Sequence, residues 1–279
     1  MQYAQLLRPY PQFIDVGAIN VGAGHSSYNA AQLTVERRFG NGLTTLLGYT
    51  FSKTIDNVGD MTDVAGAQHG FQNYDCYTCD RSLADQDQRQ SLRWATGYEL
   101  PIGHGKPFLN RGFVSNVLGG WAIGAFLTMN TGRPIYVTSS NNSQLLGAGW
   151  HPDGTGNYIR PNATGISAAL PGGPQLCNNC EYFNPAAFSR TPEFALGNVT
   201  RYLGDVSYPT GWNWDMLVEK RFFIKERYRI TLRSEFLNAF NQVTFSGPTT
   251  SITSSSFGYI SLSQSNNPRN VQLSLRTTF

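Results

Sequence analysis

Apolar and polar residues alternate along much of this chain with a period of two. At the C-terminal end Val271, Leu273, Leu275 and Phe279 share a face with Thr277, while Asn270, Gln272, Ser274, Arg276 and Thr278 share the other. Successive side chains of a β-strand point to opposite faces, so the pattern predicts a strand with one apolar and one wetted face. Residues 227–241 repeat it, with Tyr228, Ile230, Leu232, Phe236 and Phe240 against Arg227, Arg229, Thr231, Arg233 and Glu235. Residues 211–224 set Trp212, Trp214, Met216, Val218 and Phe222 against Asn213, Asp215, Glu219 and Arg221, with Leu217 and Lys220 out of step. Lys220 lies near a strand end, where its ammonium is expected to snorkel to an interface. The same alternation predicts strands over 27–39, 43–55, 88–100 and 119–138, with a bulge at Gly132-Arg133-Pro134, and a weaker strand over 12–20. Residues 112–132 carry no charge between Arg111 and Arg133 and place Gly120 and Gly124 in a GxxxG, but only about half are apolar, too few for a spanning helix.

About eight strands result, joined by unequal connections. Those at 40–42 and 225–226 are short and 101–118 is medium, whereas 56–87, 139–210 and 242–267 are long. If the strands run up and down in sequence, all three long loops fall on one side. Membrane barrels have short periplasmic turns and long extracellular loops. The expected fold is therefore all-β: an antiparallel, up-and-down outer-membrane β-barrel portion with long extracellular loops. Aromatics near strand ends (Tyr28, Phe39, Trp121, Trp212, Trp214, Phe222, Phe279) fit interfacial girdles.

Composition sharpens this picture. Charged residues make up 14% of the 279 and aromatics 13%, yet the mean hydropathy is −0.31. A barrel reconciles few charges with low hydropathy, because every other residue faces a polar lumen. The net charge of +3 gives no basic excess for nucleic acid, so none is expected as a partner. MQYAQLLRPYPQF lacks a basic start and apolar core, so no secretory signal is read there. For an outer-membrane protein this suggests that Met1 opens a fragment whose upstream part is missing.

Candidate chemistry is sparse. Cys76-Tyr-Thr-Cys79 and Cys177-Asn-Asn-Cys180 are separated by 97 residues, far from zinc-ribbon spacing. Both lie in expected extracellular loops, where thiols oxidise, so disulfides are expected over zinc or free thiols, within or between the pairs. Loop 56–87 holds seven of the 18 acidic residues, opposed only by Arg81. Asp56, Asp60 and Asp63 are candidates for a cation such as calcium, although the spacing matches no calcium motif and acidic loops are commonly just solvated. Lys220, Arg221, Lys225, Arg227, Arg229 and Arg233 surround the 225–226 turn and read either as attraction for an anionic solute or as a lumenal ladder paired with Glu219, Glu226 and Glu235. The four histidines are scattered, and no HExxH, GxSxG, Walker or GxGxxG motif appears, so neither a catalytic constellation nor a cofactor is expected.

The runs SSYNAAQLTVERRFGNGLTTLLGYTFSKTIDN (26–57), DRSLADQDQRQSLRWATGYELPIGHGK (80–106), GGWAIGAFLTMNTGRPIYV (119–137), YFNPAAF (182–188), NWDMLVEKRFFIKERYRITLRSEFLNAFNQVTF (213–245) and FGYISLSQSNNPRNVQLSLRTTF (257–279) resemble, in order, the barrel of Oar-like TonB-dependent transporters with a carboxypeptidase-regulatory-like N-terminal domain, common in Acidobacteria. That resemblance implies a barrel of about 22 strands with an N-terminal plug, driven by the TonB complex. It covers only the C-terminal third or so of such a barrel. Residues 1–279 are thus expected to be a partial barrel without plug, TonB box or regulatory-like domain. The expected partners are outer-membrane lipid, the missing N-terminal strands and plug, and the barrel assembly machinery. Phe279 on the last strand is, by the resemblance, the cue read by that machinery. The rival is a secreted soluble β-sandwich binding glycan or another polymer, in which the apolar faces would pack on each other.

Overall fold

A computed structural model describes residues 24–38, 42–57, 76–139, 160–192, 195–224 and 228–278, with Leu6, residues 10–13, Gly22 and Gln72. Seven long or medium strands form one antiparallel sheet in chain order: β1 (Ser26–Arg38), β2 (Leu43–Asp56), β4 (Gln90–Glu99), β5 (Trp121–Asn130), β9 (Gly211–Ile224), β10 (Tyr228–Leu237) and β12 (Asn270–Thr278). The sheet's eighth member is the two-residue β3 (Ser82–Leu83), which pairs with the end of β2. Most of the strand expected over 12–20 lies outside the described residues. Among the described residues β1 and β12 are the two edges of the sheet, which does not close on itself.

The register shows why the alternation was so regular. Leu33 faces Tyr49, Leu47 faces Trp94, Trp94 faces Leu127 and Leu127 faces Trp214. Met216 faces Phe236, and Phe236 faces Val271. Residues paired across strands share a face, so one apolar surface runs unbroken through all seven strands. No second sheet covers it among the described residues; the two other sheets are two-residue pairs, β6 (Asn162–Ala163) with β8 (Phe188–Ser189) and β7 (Cys180–Glu181) with β11 (Tyr259–Ile260). The sandwich arrangement is therefore not adopted. Leu273 and Leu275 remain 74% and 70% exposed. On this face the Trp94 indole N–H donates to Thr45 Oγ1 at 2.8 Å.

The opposite face is polar. Gln32, Thr50 and Ser91 line up across β1, β2 and β4, and Thr128, Asn213, Glu235 and Gln272 lie on the same side further along. Tyr28 shares this face, paired with Thr54, and so is not part of an outward girdle. The cations on the apolar side, Arg37, Lys53 and Lys220, all sit near strand ends. Lys220 does not reach water; it is 2% exposed. Residues 112–132 are not one helix: a seven-residue helix, α1 (Gly112–Leu118), precedes β5. Among the described residues no helix is long and apolar enough to cross a membrane. The bulge expected at 132–134 is absent as well, because β5 ends at Asn130 and the chain leaves the sheet.

Sequential antiparallel pairing puts the three long connections, between β2 and β4, β5 and β9, and β10 and β12, at one end of the sheet. The buried hydrophobic cluster lies there and not in the sheet. It joins Ile135, Val137, Tyr182, Phe183, Phe188 and Leu203 of the second loop to Phe257 and Ile260 of the third.

Candidate functional site

The loop cluster is built from ordinary packing rules applied in an unusual place. Phe183, Phe188 and Phe257 meet edge to face, with ring centroids 5.2 to 5.7 Å apart. Beyond Asn130 the chain runs between residues 203–208 and 250–252: Leu203 N donates to Ile135 O (2.7 Å), Tyr208 N to Arg133 O (2.8 Å) and Ile252 N to Thr138 O (3.0 Å). Gly132 is required for this path, since a Cβ there would collide with the Tyr208 carbonyl. The Tyr182 hydroxyl donates to Ser207 O at 2.8 Å. Burial raises the pKa of Tyr182, Tyr202 and Tyr208, with the Asp85 carboxylate adding to the last two.

The acidic first loop is tied to the second by buried charge. Arg160 Nη1 lies 2.6 Å from Asp80 Oδ1, with side chains 9% and 1% exposed. Gln72 completes the clamp: its amide oxygen accepts from Arg160 N (2.7 Å), its Nε2 donates to Gly197 O (2.7 Å), and its backbone N donates to Asp80 Oδ2 (3.2 Å). Burial lowers the Arg160 pKa and the Asp80 charge opposes that shift. Asp87 Oδ1 accepts from Thr54 N at 2.6 Å, and Asp56 pairs with Arg201. Of the cation candidates, Asp56 is thus engaged by a guanidinium, while Asp60 and Asp63 lie outside the described residues. Among the described residues no group of three or more His, Cys, Asp or Glu could hold a metal. The sequence sets only Arg81 against the acids within the loop; apart from Arg89, which pairs with Asp87 at 3.1 Å, the actual partners of Asp56 and Asp80 are Arg201 and Arg160 of the second loop, too far along the chain to leave a local signal.

The four cysteines form two bridges, Cys76–Cys79 and Cys177–Cys180, with Cα atoms 5.4 and 5.2 Å apart. Each closes a turn inside its own loop and none joins the two loops. Of the basic cluster, Arg221 pairs with Glu219 and, at 2.9 Å, with Glu99; Arg233 pairs with Glu235. Lys225, Arg227 and Phe279 are outside the described residues.

Beneath the loops, on the polar face of β5, β9, β10 and β12, lies a cup of about 910 Å³. Its lining includes Thr128, Asn130, Asn213 and Asp215 of the strands and Arg133, Asn267 and Arg269 of the connections. Asp215 Oδ1 accepts from Asn213 Nδ2 (2.8 Å) and from Asn238 N (2.9 Å). Asn238 sits at φ +51° and holds the 238–242 turn, its Oδ1 accepting from Gln242 N at 2.7 Å and its Nδ2 donating to Gln242 O at 2.8 Å. Asn266 Nδ2 reaches the same carbonyl at 2.7 Å. The cup combines apolar surface from Tyr208, Trp212, Leu237 and two prolines with amides and hydroxyls, one carboxylate and two guanidinium groups, a set suited to a solute with both polar and apolar parts. Alternation marks Asn213, Asp215 and Asn270 only as polar-face residues, and Asn238, Asn266 and Asn267 carry no periodic signal.

A family model described as outer membrane beta barrel domain matches residues 1–272. No curated protein matches the chain. Among solved structures, FpvA of P. aeruginosa, determined bound to heterologous pyoverdines, aligns over 91% of this chain and 19% of its own length, at 11% identity and a TM-score of 0.39. The outer membrane transporter YddB from Escherichia coli aligns over 92% of this chain and 26% of its own, at 9% identity and a TM-score of 0.44. The chain thus spans about a fifth to a quarter of the solved structures it matches.

Proposed function

Since the chain belongs to the outer membrane beta barrel domain family and resides in the bacterial outer membrane, we propose that it is the C-terminal part of the barrel wall of an Oar-like, TonB-dependent transporter. The observation that carries this reading is the apolar face running through seven strands with no second sheet packed on it among the described residues. In water that face is a liability; against lipid it is half of the protein's core. The two edges left unpaired among the described residues, β1 and β12, call for further strands of the parent barrel. The long loops then point outward from the cell, the short turns face the periplasm, and Phe279 is the assembly cue.

In this reading the chain is non-enzymatic. The roof of loops shapes the entrance, and the cup beneath it receives a solute with both polar and apolar parts on its way to the plug. The amide lining favours a neutral or zwitterionic solute over a polyanion, because the cup's two arginines are offset by Asp215 and many neutral groups. The test uses cells that make the protein naturally. An antibody raised against this chain should detect an outer-membrane species much longer than 279 residues, and solute accumulation should stop when the inner-membrane proton gradient is collapsed. A 279-residue species, or accumulation indifferent to the gradient, overturns the proposal.

A further inference from the structure

One apolar surface is not explained by the barrel wall. Between β4 and β5, at the short-turn end, residues 100–120 expose Phe108 (62%), Leu109 (51%), Phe113 (81%) and Leu118 (49%). Phe113 and Leu118 belong to α1, which has too few residues to be stable alone and is held from outside. The holding group is Lys220. Its Cβ stands on the apolar face of β9, paired with Trp121 and Leu232. Its ammonium donates to Val117 O at 2.9 Å and to Gly119 O, at the C-terminal end of α1. The rings of Trp121 and Phe222, also on the apolar face, flank the ammonium at 5.3 and 4.9 Å.

These contacts hold the C-terminal end of the helix against the outer side of the wall, while Ser115 borders a small cavity with Glu99 and Arg221 of the polar face. Lys220 is buried because α1 and the two rings cover it. The helix is also in mid-sheet, with three strands on one side of β5 and three on the other, away from edges that further strands would occupy. Residues 100–120 contain Lys106 and Arg111 and no acid. Lys106 is paired with Glu99 at 2.9 Å; Arg111 is exposed at the start of α1.

We infer that the 100–120 connection is an interfacial anchor, with Phe113 and Leu118 of α1 embedded in the phospholipid of the periplasmic leaflet. The apolar residues continue the lipid-facing surface of the wall past its last strand residue. Aromatic and aliphatic groups beside a lone exposed arginine match the acyl–phosphate boundary of a phospholipid layer. Lys220 thus serves as a bracket: it satisfies helix-end carbonyls that would otherwise lie unpartnered near hydrocarbon.

The inference rests on the wall facing lipid, so its test separates the two. The full protein is purified from outer membranes as Phe113→Cys, Leu273→Cys or Gln272→Cys, labelled with an environment-sensitive fluorophore, and reconstituted with phosphatidylethanolamine and phosphatidylglycerol brominated on the acyl chains near the glycerol. All three positions are exposed, and the four native cysteines are bridged. Positions 273 and 113 should both lose most of their emission to brominated lipid and resist aqueous iodide, while 272 behaves oppositely. Lipid quenching at 273 with iodide quenching at 113 overturns the anchor and leaves the wall intact. Iodide quenching at both overturns the wall and the anchor together.

Discussion

Removing one partner of the Asp80–Arg160 pair should open the roof of loops. Both side chains are nearly inaccessible, and Asp80 keeps its hydrogen bond from Gln72 N when Arg160 is lost. The Arg160→Met variant therefore leaves a buried carboxylate without its countercharge, which costs about 3–5 kcal/mol. Replacing both groups, as Asp80→Asn with Arg160→Met, removes the stranded charge and should recover a large share of that loss. The assay is trypsin cleavage after Arg201, whose side chain is 4% exposed and reachable only when the roof opens. Cells displaying the protein are digested briefly and the fragments weighed. When reclosing outruns cleavage, the rate follows the open population, so 3–5 kcal/mol corresponds to roughly two to four powers of ten, less if the roof is already fully open. Cleavage after the exposed Arg190 serves as the internal standard. Arg201 protection in Arg160→Met equal to that of the parent would refute the clamp. So would a double variant whose loss is the sum of the two single losses.

The wall should discriminate sharply by parity: Leu275→Arg, at mid-strand on the lipid side, should destabilise by about 2–4 kcal/mol and lower the amount inserted, while its neighbour Ser274→Arg on the lumenal side should be nearly silent in the same heat-modifiability gel. Gly132→Ala should cost about 1–3 kcal/mol or more by forcing the chain off the Tyr208 carbonyl, read as faster trypsin cleavage after Arg201. Tyr182, Tyr202 and Tyr208 are held above the ordinary tyrosine value of about 10. Their neutral form favours the folded roof, so their contribution is complete below pH 10 and falls as pH rises above it, because the unfolded loops ionise first. Phenolate absorbance should therefore show these three titrating late and together with loss of the roof. Replacing Cys177 and Cys180 by Ser should destabilise by no more than about 2 kcal/mol, because so short a closed loop constrains the unfolded chain little.

Most of the wall was legible from alternation alone, since a membrane on one side and a wet lumen on the other write a period of two into the residues. Residues 211–224 were read to their ends despite Leu217 and Lys220. The same logic misread 131–138, where Ile135 and Val137 look like further strand positions but are buried in the loop core instead. Alternation cannot tell an apolar residue facing lipid from one facing protein. The clamp was illegible for another reason: Asp80 and Arg160 are far apart in sequence, and an acidic loop with a distant arginine reads as solvated charge. The cup escaped notice because asparagines that hold turns, such as Asn238 and Asn266, have no spacing rule to betray them. Lys220 was recognised as an exception, but its partners come from a helix that no pattern announced.

The buried cluster of the loops joins Ile135 to Phe257, residues supplied more than a hundred positions apart. That distance gives the roof a place in time as well as in space. It is complete only when Phe257 and Ile260 of the third long connection have joined the residues of the second, whatever order the strands take. A binding reagent that recognises the joined loops would therefore report on maturation: silent toward every form in which the two loops are still apart, and reactive only once they have met.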